Sequence, residues 1–150
     1  MPEIHSIVYK PESAGKDRED AYTRVPMQQA TLRTGWGIAG DRKGGHPDRQ
    51  LNIMCLETLE SLRSEGFKTE PGAMGEQIIV TGLELGDLLP GTVVQFGEAA
   101  RIEVLKPRTG CDRFERIQGL APALAQRRMG VLARVVQDGE ITIGDSVYVV

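Results

Sequence analysis

The sequence predicts a mostly β fold, a closed or nearly closed β-barrel with one or two short helices, formed by residues 1–150 as one domain. Three observations predict it. Short apolar runs rich in β-branched residues recur along the whole chain. Eighteen glycines and eight prolines are spread between those runs and punctuate them as turns. Only one segment shows a convincing helical period. Seven or eight short strands with one good helix favour a barrel, because closure removes the exposed strand edges that invite aggregation.

The elements follow in order. Residues 4 to 10 (I-H-S-I-V-Y-K) read as a strand. Residues 11 to 25 mix Pro, Ser, Gly and charges without periodicity and read as an exposed loop. Residues 27 to 34 read as a strand ended by Gly35 and Gly37. Residues 53 to 65 form the predicted helix, with Ile53, Leu56, Leu59 and Leu62 on one face, Asn52 as N-cap and Gly66 beyond its end. Strands are expected at 77 to 81, 92 to 96 and 100 to 106, the last alternating Ile102 and Val104 with Arg101 and Glu103. Residues 122 to 128 suggest a second, short helix with Pro122 in its first turn. Strands at 131 to 136, 141 to 143 and 146 to 150 close the chain, with turns at Asp138-Gly139 and Gly144-Asp145.

Composition narrows the function. The net charge of -3 argues against nucleic acid as a partner. The N-terminus lacks a basic segment followed by an apolar one, and no run approaches a membrane span, so a cytoplasmic protein without a membrane partner is expected. Cys55 and Cys111 are the two cysteines. Two isolated cysteines without a CxxC pair build neither a disulfide framework nor a structural zinc site.

Cys111 is the first candidate for chemistry. It lies in K-P-R-T-G-C-D-R, a loop flanked by Lys106, Arg108 and Arg113. Nearby cations favour thiolate over thiol, the form that ligates metal or attacks sulfur. The alternative is a small hydrophobe tucked beneath the loop. Cys55, beside Met54 and Leu56, reads as a packing residue. The segment G-W-G-I-A-G-D-R-K-G-G-H at 35 to 46 is the second candidate. Its glycines let backbone amides approach a ligand, and Arg42 and Lys43 suit an anion. Its spacing fits neither a Walker loop nor a dinucleotide fingerprint, and a set of tight turns closed by an Asp41–Arg42 interaction is the structural alternative. Glu76, in P-G-A-M-G-E-Q, either orients a ligand or a basic loop, or caps backbone amides. His46 is a ligand contact or merely an exposed loop residue.

These pieces resemble the MOSC family, the C-terminal domain of molybdenum-cofactor sulfurases, which also occurs as small stand-alone bacterial proteins. G-I-A-G-D-R-K at 37 to 43, P-G-A-M-G-E-Q-I-I-V-T-G-L at 71 to 83 and L-L-P-G-T-V-V-Q-F-G at 88 to 97 are similar to successive family motifs. So are K-P-R-T-G-C at 106 to 111 and G-V-L-A-R-V-V-Q-D-G-E-I-T-I-G-D at 130 to 145. Two departures stand out: Gln77 where Asn is usual, and Gly110 where Pro is usual, which loosens the cysteine loop. The resemblance implies that Cys111 is a molybdenum ligand, and that Gly40, Asp41, Arg42, Lys43, Glu76 and Arg108 help bind the anionic molybdenum cofactor (molybdopterin). It implies either a reductase of small N-hydroxylated compounds served by an electron-transfer partner, or a sulfur carrier charged by a sulfur donor protein. A non-catalytic cofactor- or partner-binding module is the alternative. Pyridoxal phosphate is not expected, because it belongs to a large separate domain of full-length cofactor sulfurases.

Overall fold

The computed structural model describes residues 1–14 and 22–150. In chain order it has β1 (Glu3–Tyr9), β2 (Val25–Met27), β3 (Gln29–Arg33), β4 (Gly37–Ile38), β5 (Leu51–Cys55), α1 (Leu56–Ser64) and β6 (Ile78–Thr81). Then come β7 (Val93–Phe96), β8 (Ala100–Pro107), α2 (Asp112–Gln118), β9 (Val131–Gln137), β10 (Gly139–Thr142) and β11 (Val147–Val149). Single 3-10 turns occupy Glu12–Ala14, Leu85–Asp87 and Pro122–Ala125. The loop expected over 11 to 25 thus lies partly outside the described residues.

The expected barrel is not closed. Eight strands form one sheet in the order β11-β7-β8-β9-β5-β6-β1-β2, and a separate three-stranded sheet runs β10-β3-β4. The physical reason is pairing at the two ends. β11 is three residues long and forms a ladder with β7 alone, while Glu3 and Ser146 make only an isolated bridge. β3 does not extend the large sheet; it pairs with β10 and β4. The mostly β character with two helices holds.

The core follows from strand alternation. Ala100, Ile102 and Val104 of β8 are buried, and Arg101 and Glu103 turn outward. They join Ile4, Ile7, Leu51, Ile53, Val131, Ala133 and Phe96 in one cluster. A second cluster forms where Met54 and Ile79 meet Leu59, Leu62, Phe67 and Phe114. This cluster carries both helices, and a cavity opens beside it.

The helix expected over 53 to 65 begins three residues later. Leu51–Cys55 is a strand buried at every position, parallel to β6 and antiparallel to β9. Asn52 is therefore mid-strand and Cys55 is the N-cap residue of α1, while Gly66 follows the helix with φ 100°. An apolar run with neighbours on both edges becomes a strand, and the three-residue spacing that crosses into it is fortuitous. The helix expected at 122 to 128 shrinks to a 3-10 turn. The true second helix, α2, starts directly after Cys111 and ends at Gly119 in the left-handed region.

Candidate functional site

A cavity of about 780 Å³ opens on the face of β5 and β9 that turns away from the large core. Its floor is Asn52 of β5, Leu132 of β9 and Gln77, which precedes β6. Register explains the floor. Leu51 and Ile53 point into the large core, so Asn52 between them points out, and it pairs with Leu132 on the neighbouring strand.

Three loops wall the cavity. The segment after β4 supplies Arg42, Lys43, His46 and Arg49. The end of β8 and the following loop supply Lys106, Arg108, Cys111 and Arg113. Tyr22 and Arg24 approach from the segment before β2. Seven of the lining residues are Lys or Arg, and none of the described ones is Asp or Glu. Such a lining focuses positive potential on whatever enters.

Cys111 is exposed, in contrast to Cys55. It occupies the N-cap position of α2 and its carbonyl accepts from Glu115 N at 3.1 Å, so the helix fixes where the thiol stands. The alternative of a thiol packed beneath the loop does not hold. Gly110 is tightly seated: a Cβ there would lie 2.5 Å from Pro122 Cβ. Packing on Pro122 replaces the stiffness that a proline would give the loop. Cys55 does read as expected for a packing residue. It is buried, its Sγ donates to Glu57 Oε2 at 2.9 Å, and burial pushes its thiol up to about 11.

Arg108 is anchored from several sides. Its Nη1 donates to Met74 O, Nη2 lies 3.5 Å from Tyr22 Oη, and its guanidinium sits 5.8 Å above the Phe114 ring. Burial lowers its pKa, and Tyr22, Glu76 and Cys111 act in the opposite direction. Gly75 is the seat for this arrangement. Its φ is 87°, and a Cβ would stand 2.9 Å from Arg108 Nη2 and 3.0 Å from the Tyr22 ring.

The remaining expected site residues divide. Arg42, Lys43, Arg108 and Cys111 line the one cavity. Gly40, Asp41 and Glu76 do not line it. Glu76 is 1% exposed, and its carboxylate accepts from Gly72 N at 2.7 Å and Met74 N at 3.1 Å. It fastens the loop whose Met74 carbonyl holds Arg108. Asp41 Oδ1 accepts from Lys10 N at 3.2 Å and Lys43 N at 3.1 Å, and Arg42 N donates to Lys10 O at 2.7 Å. Asp41 thus ties the basic loop to the end of β1, and not to the Arg42 side chain. Gly40 lies in a shallow depression with Arg33 and Trp36. Tyr22, Arg24, Arg49 and Asn52 are lining residues that the sequence does not single out as a site, whereas Gln77 lies in the P-G-A-M-G-E-Q segment and lines it. The one available signal is Asn52, the sole polar residue in L-N-I-M-C.

The MOSC domain pattern matches residues 40–148. The chain belongs to the MOSC domain family. Solved structures with the same fold include YiiM from Geobacillus stearothermophilus, with 24% identity and a TM-score of 0.74 over 100% of this chain and 75% of that one. The YuaD protein from Bacillus subtilis gives 20% identity and a TM-score of 0.75 over 99% and 96% of the two chains. YiiM from Escherichia coli gives 24% identity and a TM-score of 0.72 over 100% and 70%. At these identities the likeness concerns the fold. No curated protein matches the chain. Within this MOSC domain, no group of three or more His, Cys, Asp or Glu among the described residues is placed to hold a metal ion. No helix among them is long and apolar enough to cross a membrane.

Proposed function

We propose that this MOSC domain binds the molybdenum cofactor in the cationic cavity and offers Cys111 as a thiolate ligand to its metal. One observation carries the reading: an exposed thiol stands at a cavity of about 780 Å³ whose described lining holds seven Lys or Arg and no carboxylate. The lining fits the group. A dianionic phosphate and a dithiolene need cations and reject carboxylates. A soft thiolate suits molybdenum. The cofactor carries its own sulfur donors, so one protein ligand suffices, and no cluster of metal ligands occurs among the described residues.

Arg42 and Lys43, on the loop tied down by Asp41, would hold the phosphate. Arg108, set by Met74 O and the Gly75 seat, would face the charge near Cys111. Asp41 and Glu76 are positioning residues that act through the loops. When bound, the cofactor supplies two-electron redox chemistry at an oxygen or sulfur atom, and a small N-hydroxylated compound is the proposed substrate. An external electron-transfer partner would return the electrons.

The test is metal and pterin analysis of gently purified protein and of protein reconstituted with cofactor. Near-stoichiometric molybdenum and pterin are expected, with molybdenum much reduced in Cys111→Ala. Protein devoid of both after reconstitution would refute the reading.

The exposure of Cys111 also favours a second reading, a sulfur carrier. The Cys111 thiolate would attack the terminal sulfur of a donor protein's persulfide. The donor S–S bond breaks, the donor cysteine leaves as thiolate, and a persulfide forms on Cys111. Mass spectrometry after incubation with a cysteine desulfurase and cysteine should then show one added sulfur on Cys111. An unmodified Cys111 would exclude this reading.

A further inference from the structure

We propose that Asn52, held by Gln77, recognises the ring of the bound ligand: an amino-substituted heteroaromatic ring with adjacent N–H donor and ring acceptor, attached to an anionic group. This chemistry is common to pterins and purine nucleotides. The inference rests on the reading of the cavity as a cofactor site and assigns the neutral end of that site.

One buried atom of the cavity floor lacks a partner among the described residues. Asn52 is 6% exposed, and its Oδ1 is buried without a hydrogen-bond partner among the described residues. A buried amide oxygen left unpaired costs about 1–3 kcal/mol. The cost is avoidable, because a buried strand position accepts Leu or Val readily. Meanwhile every main-chain group of Asn52 is engaged. Its N–H donates to Gln77 Oε1 at 2.7 Å, and its carbonyl accepts from Gln77 N at 2.9 Å. The reciprocal pair fixes the backbone of the floor and leaves the Asn52 carboxamide as the uncommitted group.

Place and chemistry then define the ligand. Asn52, Gln77 and Leu132 line the same cavity as the Arg and Lys side chains, and Leu132 pairs with Asn52 on one side and with Lys106 on the other. A carboxamide offers one donor and one acceptor side by side, which matches a ring edge carrying one of each. Leu132 gives an apolar surface for the ring face. The terminal amide turns on a soft torsion, so its unpaired end can swing to meet such an edge. A wholly anionic ligand would use the rim and ignore this floor.

The test is calorimetric titration of the full chain with pterin-6-carboxylate, GMP, AMP and, as the ring-free anion, inorganic phosphate. Wild-type protein should bind at least one ring-bearing anion more tightly than phosphate, and the arms identify whether pterin or purine is preferred. Asn52→Leu should lose about tenfold in affinity for that ligand while keeping phosphate affinity within about twofold, the scale of one or two neutral hydrogen bonds. Asn52→Thr, a smaller change, should show the same loss, and unfolding midpoints confirm that both variants fold. Equal binding of phosphate and all ring-bearing anions by wild type, or unchanged ring affinity in both variants, would overturn the proposal. Absence of molybdenum would sink the cofactor reading but leave this ring preference measurable.

Discussion

Replacing Glu76 by glutamine tests how the cavity loops are held. In the native protein its carboxylate is buried and accepts two backbone N–H groups, Gly72 at 2.7 Å and Met74 at 3.1 Å. Burial pushes its pKa from 4.5 up to about 7, against the opposing pull of those amides and of Arg108. The folded state therefore binds the proton more tightly than the unfolded state does. The contribution to stability is full below pH 4.5 and is lost as pH rises through 7. A rise of that size corresponds to about 3 kcal/mol. The amide of the Glu76→Gln variant would exchange no proton and would lack this slope. Because that amide offers one acceptor oxygen to two N–H donors, the variant also carries a pH-independent cost of about 1–3 kcal/mol. The discriminating quantity is the difference between the two proteins. Urea unfolding between pH 4.5 and pH 8 should show it moving by about 3 kcal/mol in favour of Glu76→Gln. Contributions from all other titrating groups are common to both proteins and cancel. A difference that stays constant over this interval would refute the reasoning.

Further outcomes follow from the same geometry. At pH 8, iodoacetamide should alkylate exposed Cys111 and spare Cys55, whose thiol is buried and raised to about 11; peptide mass spectrometry after brief labelling reads the ratio, and faster reaction at Cys55 would contradict it. Gly75→Ala should cost about 1–2 kcal/mol from its positive φ and should weaken phosphate binding, because the added Cβ would lie 2.9 Å from Arg108 Nη2 and displace it. Unfolding curves and calorimetry measure the two effects separately. Gly130→Ala should be far more damaging, about 3 kcal/mol or more, since its Cβ would lie 2.1 Å from Ile53 O; near-normal stability would show that β5 and the segment before β9 can part.

Much of the sheet was legible because its signals are local. Alternation in β8 announced which residues face the core, and the glycine-marked turns bounded β9, β10 and β11. Barrel closure was not legible. It depends on whether β11 and β1 form a ladder or a single bridge, and both segments look like ordinary strands. The boundary at Cys55 failed for a related reason. Ile53, Leu56, Leu59 and Leu62 keep a three-residue spacing across a strand–helix junction that no Gly or Pro marks. α2 was hidden because Asp112 and Arg113 are polar and only Phe114 and Ile117 carry its apolar buried face. In the site, Arg42, Lys43, Arg108 and Cys111 could be read from basic loops around a thiol. Tyr22, Arg24 and Arg49 could not, since only tertiary approach brings them to one cavity.

The two buried carboxylates beside the cavity act on its basic loops through the main chain. Asp41 and Glu76 adjoin the two basic loops and could have neutralised Arg42 or Arg108 directly. Instead both turn inward and take backbone N–H groups: Lys10 and Lys43 for Asp41, Gly72 and Met74 for Glu76. Each carboxylate thereby orders a loop through its main chain, and Glu76 adds a Coulomb attraction that favours the charged form of Arg108. On the proposed reading, these two motif residues act on the ligand only through the loops they order. Substitution of Asp41 or Glu76 should lower anion affinity by loosening the loops while leaving its salt dependence in place. Substitution of Arg42 should lower affinity through lost charge, and calorimetric titration at rising salt should then show a shallower fall in affinity than in the wild type.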